Sequence, residues 1–137
     1  IYLRRAVDAP QPVPLALNDL AEALRRSRNL PEAERYARKA VDAAPSLYVA
    51  WETLGSTLLD SKRNIEEAEQ CILKACELSK VNGREEDIRM LVALAKVQIA
   101  KGDKGKARVT MRKVQNRIGE LSAYEKQEFE ELRKGAK

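Results

Sequence analysis

Apolar residues recur along this chain at helical spacing. Leu17, Leu20, Ala21 and Leu24 fall at i, i+3, i+4 and i+7, and Ala107, Met111, Val114 and Ile118 repeat a similar stripe near the other end. Stripes of this kind mark the buried face of an amphipathic helix. Polar punctuation separates them. Asn29-Leu-Pro-Glu32, Asn64-Ile-Glu-Glu67 and Ser122-Ala-Tyr-Glu125 each set a capping residue three places before a glutamate, the spacing of a capping box. Pro14, Pro45-Ser46 and Gly102-Asp103 open further helices. The five prolines all lie at or before position 45, so residues 46–137 can be helical between turns. The pattern predicts helices near 2–9, 14–27, 30–44, 47–61, 65–80, 84–101, 104–119 and 122–134. Connections of only a few residues require neighbouring helices to pack antiparallel.

The stripes also repeat. Ala21, Gly55 and Ala95 are spaced by 34 and 40 residues, and Ala33, Ala68 and Ala107 by 35 and 39. The offsets fall in loops, one residue in 61–64 and the remainder in 80–84, so the helices keep register. Trp51-x2-Leu54-Gly55-x2-Leu58, followed by Ala68, Ile72 and Ala75, resembles the signature of the tetratricopeptide repeat (TPR) family. Leu17, Leu20, Ala21, Leu24, Ala33, Ala40 and Pro45 match it in an earlier unit, and Leu91, Leu94, Ala95, Ala107 and Met111 in a later one. The later unit departs from the pattern at Gln98, Val114 and Gly119. The resemblance implies an all-α, right-handed α-α superhelix. Its units would be residues 1–12, the second helix of a truncated repeat carrying Leu3, Ala6 and Pro10, then repeats at 13–46, 47–83 and 84–121, and a capping helix and tail at 122–137. In that final helix Tyr124, Phe129 and Leu132 are expected against the last repeat, with Lys126, Glu128, Glu130, Glu131 and Arg133 in water. Trp51, at the family's structural aromatic position, is expected to pack in the core.

Composition narrows the chemistry. Ala, Leu, Glu, Arg and Lys supply 76 of the 137 residues, and there is no histidine. The commonest general base and metal ligand is therefore missing. The acidic pairs Glu66-Glu67, Glu85-Glu86-Asp87 and Glu130-Glu131 fit first turns or polar helix faces. No phosphate-binding glycine loop is present. The expectation is a non-catalytic protein, with no cofactor, no metal and no membrane span. Cys71 and Cys76 lie five apart, about 140° around a helix, which suits two small buried hydrophobes and not a disulfide. Free thiols lean towards a reducing, cytoplasmic location. The first residue is Ile rather than Met, which reads as a fragment of a longer protein. Self-association through an open N-terminal end is a further expectation.

Two surfaces could carry function. By the resemblance, the first helix of each repeat lines a concave groove, and Asn18, Glu22, Arg25, Glu52, Ser56, Arg89 and Lys96 are its polar members, with Val49, Leu59 and Ile99 packing between repeats. They grade from acidic to basic and suit a protein or peptide segment with complementary ends. TPR co-chaperones hold a partner's terminal carboxylate with Lys and Asn, Asn, then Lys and Arg. The corresponding positions here, Asn18, Glu22, Ser56, Arg89 and Ala93, retain suitable chemistry only at Arg89. The second surface is basic. Residues 96–117 carry a net +7, from Lys96, Lys101, Lys104, Lys106, Arg108, Arg112, Lys113 and Arg117 against Asp103 alone, in a chain of net +5. It reads as a solvated convex face or as a dock for an acidic partner or nucleic acid. With no aromatic residue between Trp51 and Tyr124 to stack bases, nucleic acid is the weaker reading.

Overall fold

A computed structural model describes residues 13–135. Among these it contains seven α-helices and no strand: α1 (Pro14–Arg26), α2 (Leu30–Ala43), α3 (Tyr48–Asp60), α4 (Ile65–Ser79), α5 (Ile88–Ala100), α6 (Lys104–Asn116) and α7 (Ala123–Gly135). A 3₁₀ turn, Ile118–Glu120, joins α6 to α7. Helices pack in adjacent pairs, α1 on α2, α3 on α4 and α5 on α6, and the pairs stack in chain order. This is an all-α helical repeat solenoid. The expected N-terminal helix, residues 2–9, and the end through which self-association was expected lie outside the described residues.

The turn within each pair has one geometry. Arg28, Lys62 and Gly102 adopt left-handed φ values of 66°, 55° and 79°, and the residue after each donates its N–H back to Leu24, Leu58 and Gln98 at 2.9, 3.2 and 3.0 Å. These bonds satisfy carbonyls that a helix end leaves unpaired. Only the third turn uses glycine, which adopts this conformation without a Cβ clash. The middle turn carries the extra residue expected from the sequence, with Asn64 also left-handed at φ 44°. There the Asn64 side chain caps α4 by accepting from the Glu67 N–H at 3.2 Å.

Other boundaries moved. Asn29 does not cap α2; its amide nitrogen donates to Glu32 instead, at 3.1 Å. Helix α5 begins at Ile88, not at 84, because Asp87 is its cap. The Asp87 carboxylate accepts from the Arg89 N–H at 2.9 Å and from the Tyr48 hydroxyl at 3.0 Å, while its own N–H donates to Ser79 Oγ at 2.9 Å. One residue thus ties the starts of α3 and α5 to the end of α4, and Glu85 and Glu86 precede the helix. Helix α6 stops at Asn116 and the chain tightens into the 3₁₀ turn.

Small residues set the close approaches. Ala21, Ala33, Ala40, Ala50, Ala68, Ala75 and Ala95 are fully buried, and Leu17, Leu54, Leu58, Ile72 and Val97 fill the space between them. A methyl group on Gly55 would lie 2.6 Å from Ile72 Cγ1 and 3.0 Å from the Ala68 carbonyl oxygen, which is why α3 carries glycine mid-helix. Gln98, the departure from the resembled pattern, is matched inside its own pair: Thr110 Oγ1 donates to its side-chain oxygen at 2.7 Å, and both are buried. A buried polar pair of this kind is tolerated because each member satisfies the other. Trp51 is only half-buried. Its ring packs against the core and its Nε1–H donates to the Pro45 carbonyl at 2.7 Å.

Candidate functional site

Helices α1, α3 and α5, the first of each pair, face a common cavity of about 610 Å³. Its sides are Glu22, Arg25 and Arg26 from α1, Val49 and Glu52 from α3, and Arg89, Met90, Val92, Ala93 and Lys96 from α5. Leu121 and three residues of α7, Tyr124, Glu125 and Glu128, close one end. Of the seven groove residues expected from the sequence, Glu22, Arg25, Glu52, Arg89 and Lys96 therefore meet at one cavity. Asn18 and Ser56 do not line it. Asn18 is 7 % exposed and its Oδ1 has no hydrogen-bond partner. Ser56 is buried behind Glu52 and donates to its carboxylate at 2.8 Å.

The cavity's charges fall into committed and uncommitted groups. Arg25 is committed: it holds Glu22 at 2.6 Å and reaches across to Asp60 at 2.9 Å, strapping α1 to the end of α3. Glu22 also accepts from Arg26 at 3.2 Å. Burial pushes its carboxyl up, but hydrogen bonds and charge from Arg25 and Arg26 outweigh this and leave it below the usual glutamate range. Arg89 is paired loosely, 3.5 Å from Glu125. Lys96 is exposed and makes no ion pair among the described residues, and Glu128 likewise has none.

Glu52 differs from these. Burial raises its carboxyl above the ordinary value, and Glu22 adds to the rise, while the Ser56 hydrogen bond and the charges of Arg25 and Lys96 oppose it without cancelling it. A carboxyl that holds its proton more tightly when folded contributes stability in acid and loses it as pH rises through its raised value. The Glu52→Gln variant is accordingly expected to melt higher than wild type at neutral pH, with the gap closing as pH falls below the ordinary glutamate range. Thermal melts of both proteins across pH check this, and a wild type that melts higher at neutral pH contradicts it.

The end of the cavity was not legible in the stripe reading of the last helix. Tyr124 was expected against the repeats but is 71 % exposed at the rim. Phe129 is fully buried with Ile88, Leu91, Val114 and Leu121, and it alone seats the helix deeply. Tyr124 and Phe129 are five apart, about 140° around the helix, so a helix covered on one side cannot bury both. The capping box is complete: Ser122 Oγ accepts from the Glu125 N–H at 3.2 Å, and the Glu125 carboxylate accepts from the Ser122 N–H at 2.8 Å. Hydrogen bonding from Ser122 to the carboxylate, led by its backbone N–H and joined by its side chain, holds the Glu125 carboxyl below its ordinary range, 3.5 Å from Arg89.

The basic surface is smaller than the sequence suggests. Lys101 sits between Glu66 and Glu69 at 3.2 and 2.9 Å, and Arg117 holds Glu120 at 2.7 Å with Glu85 at 3.6 Å. Lys106 lies 3.7 Å from its helix cap, Asp103. Lys104, Arg108, Arg112 and Lys113 are exposed and form no ion pair among the described residues. Both cysteines are free and buried, and burial pushes each thiol up to about 11. They are not reactive thiolates. Among the described residues no cluster of Cys, Asp or Glu has the makings of a metal site, and no helix is long and apolar enough to cross a membrane.

Residues 48–82, the span of α3 and α4, match the family model of the tetratricopeptide repeat. Comparison with curated proteins gives no match.

Proposed function

We propose that this chain, whose residues 48–82 match the tetratricopeptide repeat and whose helices stack in pairs, is a protein-interaction module that takes an extended or helical partner segment into the cavity between α1, α3, α5 and the start of α7. The cavity carries the reading: groups from four helices converge on a space of about 610 Å³ that has apolar patches at Val49, Val92 and Ala93 and uncommitted charge at its edges. Charged groups of both signs with apolar contacts between them suit a peptide segment of complementary charge. The stacked helices hold those groups in place beforehand, so the partner segment bears most of the ordering cost. In this reading residues 13–46, 47–83 and 84–121 act as three repeats and α7 as a wall of the site.

The test is selection of a displayed random peptide library on the wild-type chain, followed by affinity measurement on variants. Lys96→Glu and Tyr124→Ala change exposed rim residues, and each is expected to weaken the selected peptides by about tenfold. Selected peptides that bind both variants as tightly as wild type would remove the cavity as the site.

A further inference from the structure

Helix α6 differs in charge from its counterparts. Helix α2 carries three acids and three bases and α4 four acids and one base, whereas α6 has Lys104, Lys106, Arg108, Arg112 and Lys113 with no acid at all. An ordinary solvated face gains from mixed signs at i, i+4, and cations in a first turn oppose the helix dipole. Here Lys104 and Lys106 occupy that first turn, and acidic residues there are absent. Local stability does not account for the composition.

Within α6 the uncommitted charges are ordered. Lys104, Arg108 and Arg112 follow one another at i, i+4 and i+8, a row about 12 Å long on the exposed side of the helix. Val109 lies beside them, one turn before Arg112, and is 55 % exposed. Lys113 stands one turn beyond Val109 on the same flank, next to Glu85 and Glu86. The row is on the second helix of its pair and contributes nothing to the cavity of α1, α3 and α5.

We infer that the Lys104–Arg108–Arg112 row is a second docking surface, for an acidic helical segment of a partner protein that presents carboxylates at i, i+4 and i+8 with an apolar side chain beside them. An acidic helix laid along the row repeats its carboxylates at the same rise as the cations. The exposed Val109 gives such a segment an apolar contact that a phosphate backbone would not use. The row holds two guanidinium groups, which pair with carboxylates in bidentate fashion.

The experiment measures binding of the full chain to three fluorescent probes at low salt. The first is a helical peptide with glutamates at i, i+4 and i+8 and a leucine between them, the second the same composition with the glutamates out of register, the third a single-stranded oligonucleotide of equal charge. The in-register peptide is expected to bind best, to weaken as salt rises, and to lose at least about tenfold in affinity on the double substitution Arg108→Glu, Arg112→Glu. Lys126→Glu, on α7, and Lys96→Glu, in the cavity, are expected to leave it unchanged, which separates this surface from the groove. Equal binding of the two peptides, tighter binding of the oligonucleotide, or indifference to the double reversal would each overturn the inference. Circular dichroism of the double variant, whose two altered side chains are solvent-exposed, verifies that the helices are retained.

Discussion

Phe129→Ala is expected to release α7 from the rest of the molecule. Phe129 is fully buried between α5, α6 and Leu121, and a phenylalanine truncated to alanine in such a place costs about 3–5 kcal/mol. What remains to hold the helix is weak. Leu132 is half-buried, Arg89 pairs with Glu125 at 3.5 Å, and Arg133 reaches Gln115 at 3.2 Å. Exposed contacts of this kind contribute about 0–1 kcal/mol each. Hydrogen exchange should therefore show residues 123–135 losing protection while α1 to α5 keep theirs, and trypsin should cut at Lys126. Unchanged protection of α7 would show that other contacts seat it. Because Tyr124, Glu125 and Glu128 form one end of the cavity, the variant should also bind cavity ligands less tightly than wild type.

Gly55→Val is expected to destabilise the middle of the array by about 3 kcal/mol, at the upper end of typical overpacking costs. The first added carbon already meets Ile72 Cγ1 at 2.6 Å and the Ala68 carbonyl oxygen at 3.0 Å. The isoleucine end can rotate away, but the carbonyl belongs to the backbone of α4, so the two helices must separate. Gly55→Ala is the control. It places the same Cβ but gains roughly 1 kcal/mol of helix propensity, so its net loss should be visibly smaller. Denaturant titration gives both values, and a valine variant with the wild-type midpoint would refute the close approach of α3 and α4.

These two residues also show what the sequence reveals and what it conceals. Gly55 was legible because a glycine inside a helical pattern, in phase with Ala21 and Ala95, has few explanations other than close packing. The intra-pair turns were legible in length, through the offset in 61–64, but not in conformation, since Arg28 and Lys62 enter the left-handed region without a glycine to announce it. The cavity was legible in part. Glu22, Arg25, Glu52, Arg89 and Lys96 follow from helix phase once the family resemblance assigns the first helix of each repeat to the concave side. Asn18 and Ser56 share that phase, yet depth within the stack, which phase does not encode, buries them.

The C-terminal helix shows the same limit from another side. Cys71 and Cys76 are five apart on α4 and both are buried, because α4 packs against α3 and α5. Tyr124 and Phe129 are five apart on α7 and only Phe129 is buried. The difference is the number of neighbours a helix has, a property of the assembled fold and not of the local pattern. Ion pairing hid part of the basic surface for the same reason. Lys101 finds Glu66 and Glu69 more than 30 positions away in sequence, and only the stacking of the pairs brings them together.

The central claim is that the concave cavity is where a partner segment binds. Amide chemical shifts of the isotope-labelled chain, recorded as the tightest peptide from the library selection is added, test it most directly. The account predicts shifts concentrated at Glu22–Arg26, Val49–Ser56, Arg89–Lys96 and Tyr124–Glu128, with α2 and α4 nearly still. Shifts concentrated on α2 and α4, with those four segments unmoved, would contradict it.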